Sequence, residues 1–429
     1  MKEAIRKFIP SFLIDRLHWF YSLLGAVFYG FSSRSLKVIG VTGTNGKTTT
    51  INLATKIFEE AGFKVVSLSS IKFKIGQEEV ENKLKMTLPG RFFIQQFLKK
   101  AKDANCQFVF LEITSEGIKQ FRHSFINFDT VLITNLNPEH IEAHGSFEKY
   151  REAKGKLFQV GKNNHILNLD DENFNYFRQF PAKNKIGYGI DLKYKTGVSE
   201  IIEGEDAKTS KENIEFRVEN EIFRASLLGL FNIYNCLAAI SIARAYGITL
   251  EICRKALEKV SGIPGRMEEV VSKPFKVFVD YAFTPNALEK VYQLIRSNFR
   301  PKKMICVLGA TGGGRDKWKR PILGKLAAQY CDKVIVTDED PYDEEPLKII
   351  SQVAEGASGK AEKILDRREA IKKALTYASP RDPSNPEDSG DSIIITGKGC
   401  EPWICVADGK KIPWDDRRVV KEEFEKLKL

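Results

Sequence analysis

The chain has 429 residues, more than one hydrophobic core usually holds, since cores rarely grow past about 250 to 300 residues, so two large domains are expected. A composition of 42% hydrophobic and 29% charged residues excludes global disorder and a collagen-like repeat, and the formal charge of +11 suits a handler of phosphorylated ligands. Seven cysteines with no CxxC pair argue against a disulfide framework or zinc ribbon and place the protein in a reducing cytoplasm.

Lys2, Arg6 and Lys7 precede apolar residues, as in a signal peptide, but no small-residue cleavage site follows before the strand-like run at 36–39. The apolar stretch from Leu17 to Phe31 is shorter than the roughly 20 residues of a membrane span. Leu13, Leu17, Phe20, Leu24, Val27, Phe28 and Phe31 recur at steps of three and four, so residues 1–35 read as one amphipathic helix. Packing of its stripe on the body is expected. Weak peripheral membrane contact, with Trp19 and the basic residues at the interface, is the alternative.

From residue 36, β-branched runs at 37–42, 108–112, 131–135 and 165–170 alternate with helical patterns, the signature of a parallel α/β sheet. Between 195 and 226 charged alternation such as Ile214-Glu215-Phe216-Arg217-Val218 predicts antiparallel hairpins at a sheet margin. Helices are expected from Asn232 to Tyr246 and onward to Val260. The turn-rich Ser261-Gly262-Ile263-Pro264-Gly265 reads as a joint, dividing a central domain, 36–263, from a C-terminal one, 264–429. A second α/β series follows at 277–280, 304–308, 333–337 and 392–396, with a surface loop at 379–391. The fold class is therefore α/β: a P-loop central domain with a parallel sheet, then a Rossmann-like C-terminal domain.

Gly43-Thr44-Asn45-Gly46-Lys47-Thr48-Thr49 follows an apolar strand and opens a helix. That context suits a phosphate loop, in which backbone N–H groups and the helix N-terminus hold phosphates, Lys47 reaches the β/γ oxygens and Thr48 can ligate magnesium. The spacing departs from GxxxxGK[ST], since Val41 stands five residues before Gly46. Glu112 ends a buried apolar run at the carboxyl edge where open α/β sheets bind ligands, and a charge there needs a cation. Magnesium ligation and a structural salt bridge are both open for Glu112. His140 and His144, after Thr134-Asn135-Leu136, are site candidates or plain loop histidines.

Nine ordered segments then carry a resemblance: GTNGKTT, LEITSEGIKQFR (111–122), TNLNPEHIEAHGSFEKYREAKGKLF (134–158), LGLFNIYNCLAA (228–239), GRMEEV (265–270), VDYAFTPNALEK (279–290), GATGGGRDKWKRP (309–321), TDEDPYDEEP (337–346) and TGKGCEPW (396–403). Together they resemble the Mur ligase family, in particular its UDP-N-acetylmuramoyl-tripeptide synthetase branch, from about residue 36 to the C-terminus. The resemblance implies an ATP-dependent acid–amino-acid ligase that activates a carboxylate as an acyl phosphate, which an amino group then attacks. It implies catalytic roles for Lys47, Glu112, His140 and Lys154, with Thr48, Glu112, His140 and a carbamylated Lys154 around Mg2+. A carbamate turns a cation into a carboxylate-like metal ligand. ATP would lie on Gly43, Thr44, Asn45, Gly46, Lys47, Thr48 and Thr49, with Asn232 and Asn235 on the adenine side and Arg266 and Asp280 across the joint. Thr87, Thr114, Gln120 and Arg122 match muramoyl-peptide contacts; Arg315, Asp340, Gly397 and Glu401 match amino-acid contacts.

The sequence also departs from the family pattern. Phe283 and Glu116 stand where histidines are usual, Cys400 replaces the histidine of GKGHE, and Thr114 replaces a serine. Only about 35 residues precede the phosphate-loop strand, so the family's uridine-binding domain is expected to be absent or reduced to the helix. Where diaminopimelate-adding members present Asp-Asn-Pro-Arg, this chain reads Asp340-Pro341-Tyr342. The lost arginine clamp and the added charge of Asp340 predict a basic amino acid, lysine or ornithine, over diaminopimelate. The expected partners are a UDP-muramoyl-dipeptide-like acceptor and an amino acid, acting on a monomer. Relatives on the same scaffold, such as folylpolyglutamate synthetases, are the alternative enzymes. A non-catalytic nucleotide-binding module is the alternative class, but with no basic stripe bearing interleaved aromatics, nucleic acid is not expected.

Overall fold

The computed structural model describes residues 10–75, 78–84, 87–380, 384 and 390–427. Lys2, Arg6 and Lys7 lie outside the described residues, as does part of the 379–391 loop. A nine-stranded sheet has the order β4-β3-β2-β5-β1-β6-β7-β8-β9, where β1 is Lys37–Thr42, β2 Val65–Leu68, β3 Lys72–Ile75, β4 Glu78–Glu81, β5 Phe108–Glu112, β6 Phe128–Ile133, β7 Asn164–Asn168, β8 Asn184–Gly189 and β9 Glu200–Glu203. Strands β1, β2 and β5 to β9 pair in parallel; β3 and β4 fold back as antiparallel edge strands. The centre is apolar on both faces, as a sheet covered by helices on both sides requires: β1, β5, β6 and β7 are buried almost throughout.

A separate antiparallel sheet follows, with β10 (Glu205–Thr209), β11 (Ile214–Val218) and β12 (Glu221–Ala225). The alternation of Ile214, Phe216 and Val218 inward against Glu215 and Arg217 outward produces it. β9, by contrast, continues the large sheet in parallel instead of forming a hairpin.

The third sheet has the order β13-β14-β18-β15-β16-β17, with β13 Glu268–Val271, β14 Lys276–Val279, β15 Met304–Leu308, β16 Lys333–Val336, β17 Ala361–Lys363 and β18 Ser392–Ile395. Only the β13–β14 pair is antiparallel. Apolar clusters lie on both faces of each large sheet: Ile39, Phe58 and Ile240 belong to one on the first sheet and Val38, Leu98 and Phe158 to the other, while Phe278, Tyr292 and Val353 face Val277, Ile371 and Val419 across the third. The carboxyl ends of β1, β5 and β6 and of β14, β15 and β18 open toward the same cleft, because Glu112, Thr134, Asp280 and Gly397 all line it.

The N-terminal helix spans Ser11–Phe28 and differs from expectation. Leu13, Leu17, Phe20, Leu24, Val27 and Phe28 are exposed, while Ser22 and Ala26 are buried. The small side of the helix meets the body, because Gly25 allows a close approach to the backbone of Arg91 and Phe92 in helix Arg91–Asp103. No helix among the described residues is long and apolar enough to cross a membrane.

Candidate active site

A cleft of about 930 Å³ runs between the two large sheets. On its floor, the chain leaves β1 through Gly43 (φ 144°) and enters helix Lys47–Glu60 at Gly46 (φ 86°), a left-handed N-cap that glycine tolerates best. A Cβ on Gly46 would collide with the Asn235 amide. The Lys47 ammonium donates to the Gly43 and Thr44 carbonyls at 3.1 and 2.9 Å and lies 3.9 Å from Glu112. Burial lowers its pKa, opposed by Glu112 and reinforced by Arg266.

Glu112 is 2% exposed. One of its oxygens accepts from the Thr48 hydroxyl at 2.8 Å, the Ser70 amide at 3.0 Å and the Ser70 hydroxyl at 3.1 Å. Ser70 also meets Thr87 at 2.8 Å, linking the Glu112 carboxylate to the wall that carries Thr87. Ser70 escaped the sequence reading, since its segment has no motif and it reaches Glu112 only through β2–β5 pairing.

Lys154, on helix Phe147–Val160, is 1% exposed and points at the loop, donating to the Gly43 carbonyl at 2.9 Å and Thr42 at 3.3 Å, with the Tyr150 ring 4.8 Å away. Burial, then the neighbouring Lys47 charge, pulls its pKa well below the ordinary lysine value. His140 has left-handed backbone (φ 57°), and burial followed by the charges of Arg315, Lys154, Lys319 and Lys47 holds it neutral. Among the described residues no three His, Cys, Asp or Glu side chains form a metal cluster.

Asn232 and Asn235 are buried and joined, Asn235 Nδ2 donating to Asn232 Oδ1 at 2.9 Å. From the opposite wall, Arg266 stacks over Tyr281 at 4.4 Å, and Asp280 accepts from the Met267 and Ala282 amides at 2.7 and 2.6 Å. At one end of the cleft Thr114 caps a short helix, accepting from Gly117, and the Arg122 guanidinium donates to the Leu88 carbonyl and the Gln120 side chain. Thr87, Thr114 and Arg122 line the cleft. Gln120 does not, and stands behind Arg122 instead.

Arg315, Asp340, Gly397 and Glu401 line the C-terminal wall, and Arg315 lies 3.3 Å from His140 Nδ1. The expectation that Asp340 offers a bare negative charge is corrected here. Both of its oxygens accept from Lys398 at 3.0 Å, and one also accepts from the Cys405 amide at 2.8 Å. Lys398 reaches Glu401 at 2.5 Å as well. Asp340 is therefore buried and paired, but Lys398 is shared between two carboxylates and offsets only one of their charges; the sequence placed Lys398 58 residues away and only the fold closes that distance.

The two walls are clasped. Glu139 and Lys319, each with a 4% exposed side chain, pair at 2.7 Å, and Glu142 accepts from the Lys317 amide while its own amide donates to Asp316. The second oxygen of Glu139 is buried without a partner, and burial raises its pKa. Phe283 faces Lys319, whose ammonium lies 4.9 Å from the ring, and Cys400 contacts the Pro264 carbonyl at 3.4 Å. Glu139 and Lys319 were overlooked beside His140 and Arg315, although both sit inside the quoted segments.

Residues 41–243 match the Mur ligase middle domain and residues 265–399 the Mur ligase glutamate ligase domain. The chain is 36% identical over 416 residues to a UDP-N-acetylmuramoyl-L-alanyl-D-glutamate–2,6-diaminopimelate ligase of Syntrophomonas wolfei, covering 94% of this chain and 81% of that protein. It is 38% identical to one of Aquifex aeolicus over 92% and 79%, and 33% identical to a UDP-N-acetylmuramyl-tripeptide synthetase of Roseiflexus over 95% and 82%. A solved diaminopimelate ligase of this kind superposes with TM-score 0.59 at 27% identity, covering 92% of this chain and 79% of that one. Mycobacterium tuberculosis folylpolyglutamate synthase superposes with TM-score 0.70 at 15% identity over 88% and 92%, a likeness of fold alone. The fold and cleft define an ATP-dependent ligase that forms amide bonds. The chain belongs to the Mur ligase family.

Proposed function

We propose that the protein adds the third amino acid to UDP-N-acetylmuramoyl-L-alanyl-D-glutamate in peptidoglycan precursor synthesis, in the cytoplasm and as a monomer, with 36–263 and 264–429 as its central and C-terminal domains. The observation that carries this reading is convergence: the phosphate loop, the acceptor-side Thr87, Thr114 and Arg122, and the amino-acid-side Arg315 and Glu401 line one cleft.

ATP phosphates lie on the loop amides and helix N-terminus, with Lys47 at the β/γ oxygens and Arg266 opposite. An oxygen of the D-glutamate carboxylate attacks the γ-phosphorus, forming an acyl phosphate as the bond to the ADP oxygen breaks. The neutral amine of the incoming amino acid attacks the acyl carbon, a proton leaves the nitrogen, and inorganic phosphate departs to give the amide. Closure of the walls through Glu139 and Lys319 excludes the water that would hydrolyse the acyl phosphate.

The donor chemistry fits Mg2+. Glu112 with Thr48 supplies a carboxylate and a hydroxyl, and a neutral His140 supplies an imidazole. An ammonium at Lys154 does not fit, but a carbamate would, and burial, by lowering the Lys154 pKa, favours the free amine that reacts with CO2. Bound Mg2+ would offset the charge that develops on the transferring phosphoryl group. The test is ADP release measured with acceptor and amino acid each omitted in turn: release that needs both supports the reading, and release indifferent to the muramoyl peptide overturns it.

A further inference from the structure

Twenty large apolar side chains are exposed among the described residues, and nine of them lie on the single helix Ser11–Phe28. Exposure runs from 39% at Leu24 to 75% at Phe28. Scattered singly, such residues need no explanation, but nine crowd onto eighteen residues, and Leu13, Leu17, Phe20, Tyr21, Leu24, Val27 and Phe28 share one face at helical spacing. The orientation is fixed by the body: Ser22 donates to the Phe121 carbonyl at 2.8 Å, Gly25 packs on the Arg91 helix, and the Trp19 ring meets Phe125 edge-on at 5.2 Å. The large side chains therefore point outward because the small ones are held inward.

Charge around the patch is predominantly positive, with Asp15 the single exposed carboxylate on the helix. Arg16 and Arg34 are exposed, on the helix and just after it, and the Arg91 guanidinium lies close enough to Arg122 that burial and then the Arg122 charge lower its pKa. Lys2, Arg6 and Lys7 precede the helix in sequence. A second copy of the chain would bring these cations face to face, whereas an anionic surface would attract them. Trp19 and Tyr21 are of the type that settles at a lipid–water boundary, and no described helix is long and apolar enough to cross a bilayer.

We propose that helix Ser11–Phe28 docks the protein on an anionic lipid bilayer, lying in the interface with its large apolar face among acyl chains and its flanking arginines on headgroup phosphates. The helix borders Phe121 through Ser22, so docking brings the Arg122 end of the cleft to the membrane surface. This holds whichever acceptor the enzyme ligates.

The test is cosedimentation of the full chain with phosphatidylcholine vesicles, with and without phosphatidylglycerol. Binding to the anionic vesicles is expected, weakened by salt, with a blue shift of tryptophan emission that Trp19→Phe removes. Arg16→Glu and Arg34→Glu should each weaken binding by about fivefold or more, the worth of one basic residue at such a surface. The combined Leu17→Glu, Phe20→Glu and Leu24→Glu variant, altered only at exposed positions, should lose binding and keep ATP turnover. Protein that stays in the supernatant with both vesicle types overturns the proposal. So does binding indifferent to lipid charge, or a dimer in sedimentation equilibrium that the triple variant splits while vesicles capture nothing.

Discussion

Lys154 carries a chemistry that depends on burial. In water a lysine is protonated, but beside Lys47 and sealed under Tyr150 this one is held toward the free amine, donating to the Gly43 carbonyl. Lys154→Ala should be inactive and regain part of its activity with added short carboxylic acids. Bicarbonate labelled with carbon-13 should give a carbamate resonance in the wild type that the variant lacks, and no resonance would remove Lys154 from the metal site. Lys47→Ala and Glu112→Ala should each lower kcat/KM by about a thousandfold or more with the melting temperature little changed, since both act on charge developed during phosphoryl transfer. A variant within tenfold of wild type would contradict the assignment. These residues were legible because motif and strand end put them in context. Asp340 was misread because its charge is set by Lys398, and Ser70 was missed because no local pattern distinguishes a serine that reaches a buried carboxylate from one that faces solvent.

Elements decide the next level. Most core strands were recognisable from β-branched runs, and β1, β5 and β15 coincide with the expected spans. The edge strands β3 and β4 were not, because charged sequences such as Glu78–Glu81, fully exposed, have no buried face to impose a period. The N-terminal helix was found from its periodicity, yet its direction was inverted, because period alone does not say which face meets the body. His123 lies beside that helix's seat, 6% exposed with its Nδ1 unpartnered, and burial lowers its pKa to about 4. A base with a depressed folded pKa lets the unfolded chain take up the proton first. Stability therefore falls as pH drops from about 6.5 toward 4, by about 3 kcal/mol from this group, and levels off below. Denaturant titrations of wild type and His123→Phe should diverge over that window, and parallel pH profiles would show the imidazole to be solvated.

At the scale of the whole molecule, two α/β sheets face each other across one cleft, clasped by the buried Glu139–Lys319 pair. Removing one partner of a buried pair leaves the other uncompensated, at a cost of about 3 to 5 kcal/mol, unless the walls part and water reaches it. Lys319→Met should therefore open the cleft: its radius of gyration by small-angle scattering should exceed that of the wild type with nucleotide and acceptor bound, and an unchanged radius would show that the clasp is incidental. The most direct test supplies ATP, the UDP-linked muramoyl dipeptide and an equimolar mixture of lysine, ornithine and meso-diaminopimelate, with products read by mass. The account predicts ADP, phosphate and a muramoyl tripeptide heavier than the dipeptide by one amino acid less one water. ATP turnover without a tripeptide, or an amide formed only on an acceptor with no muramoyl peptide, would contradict it.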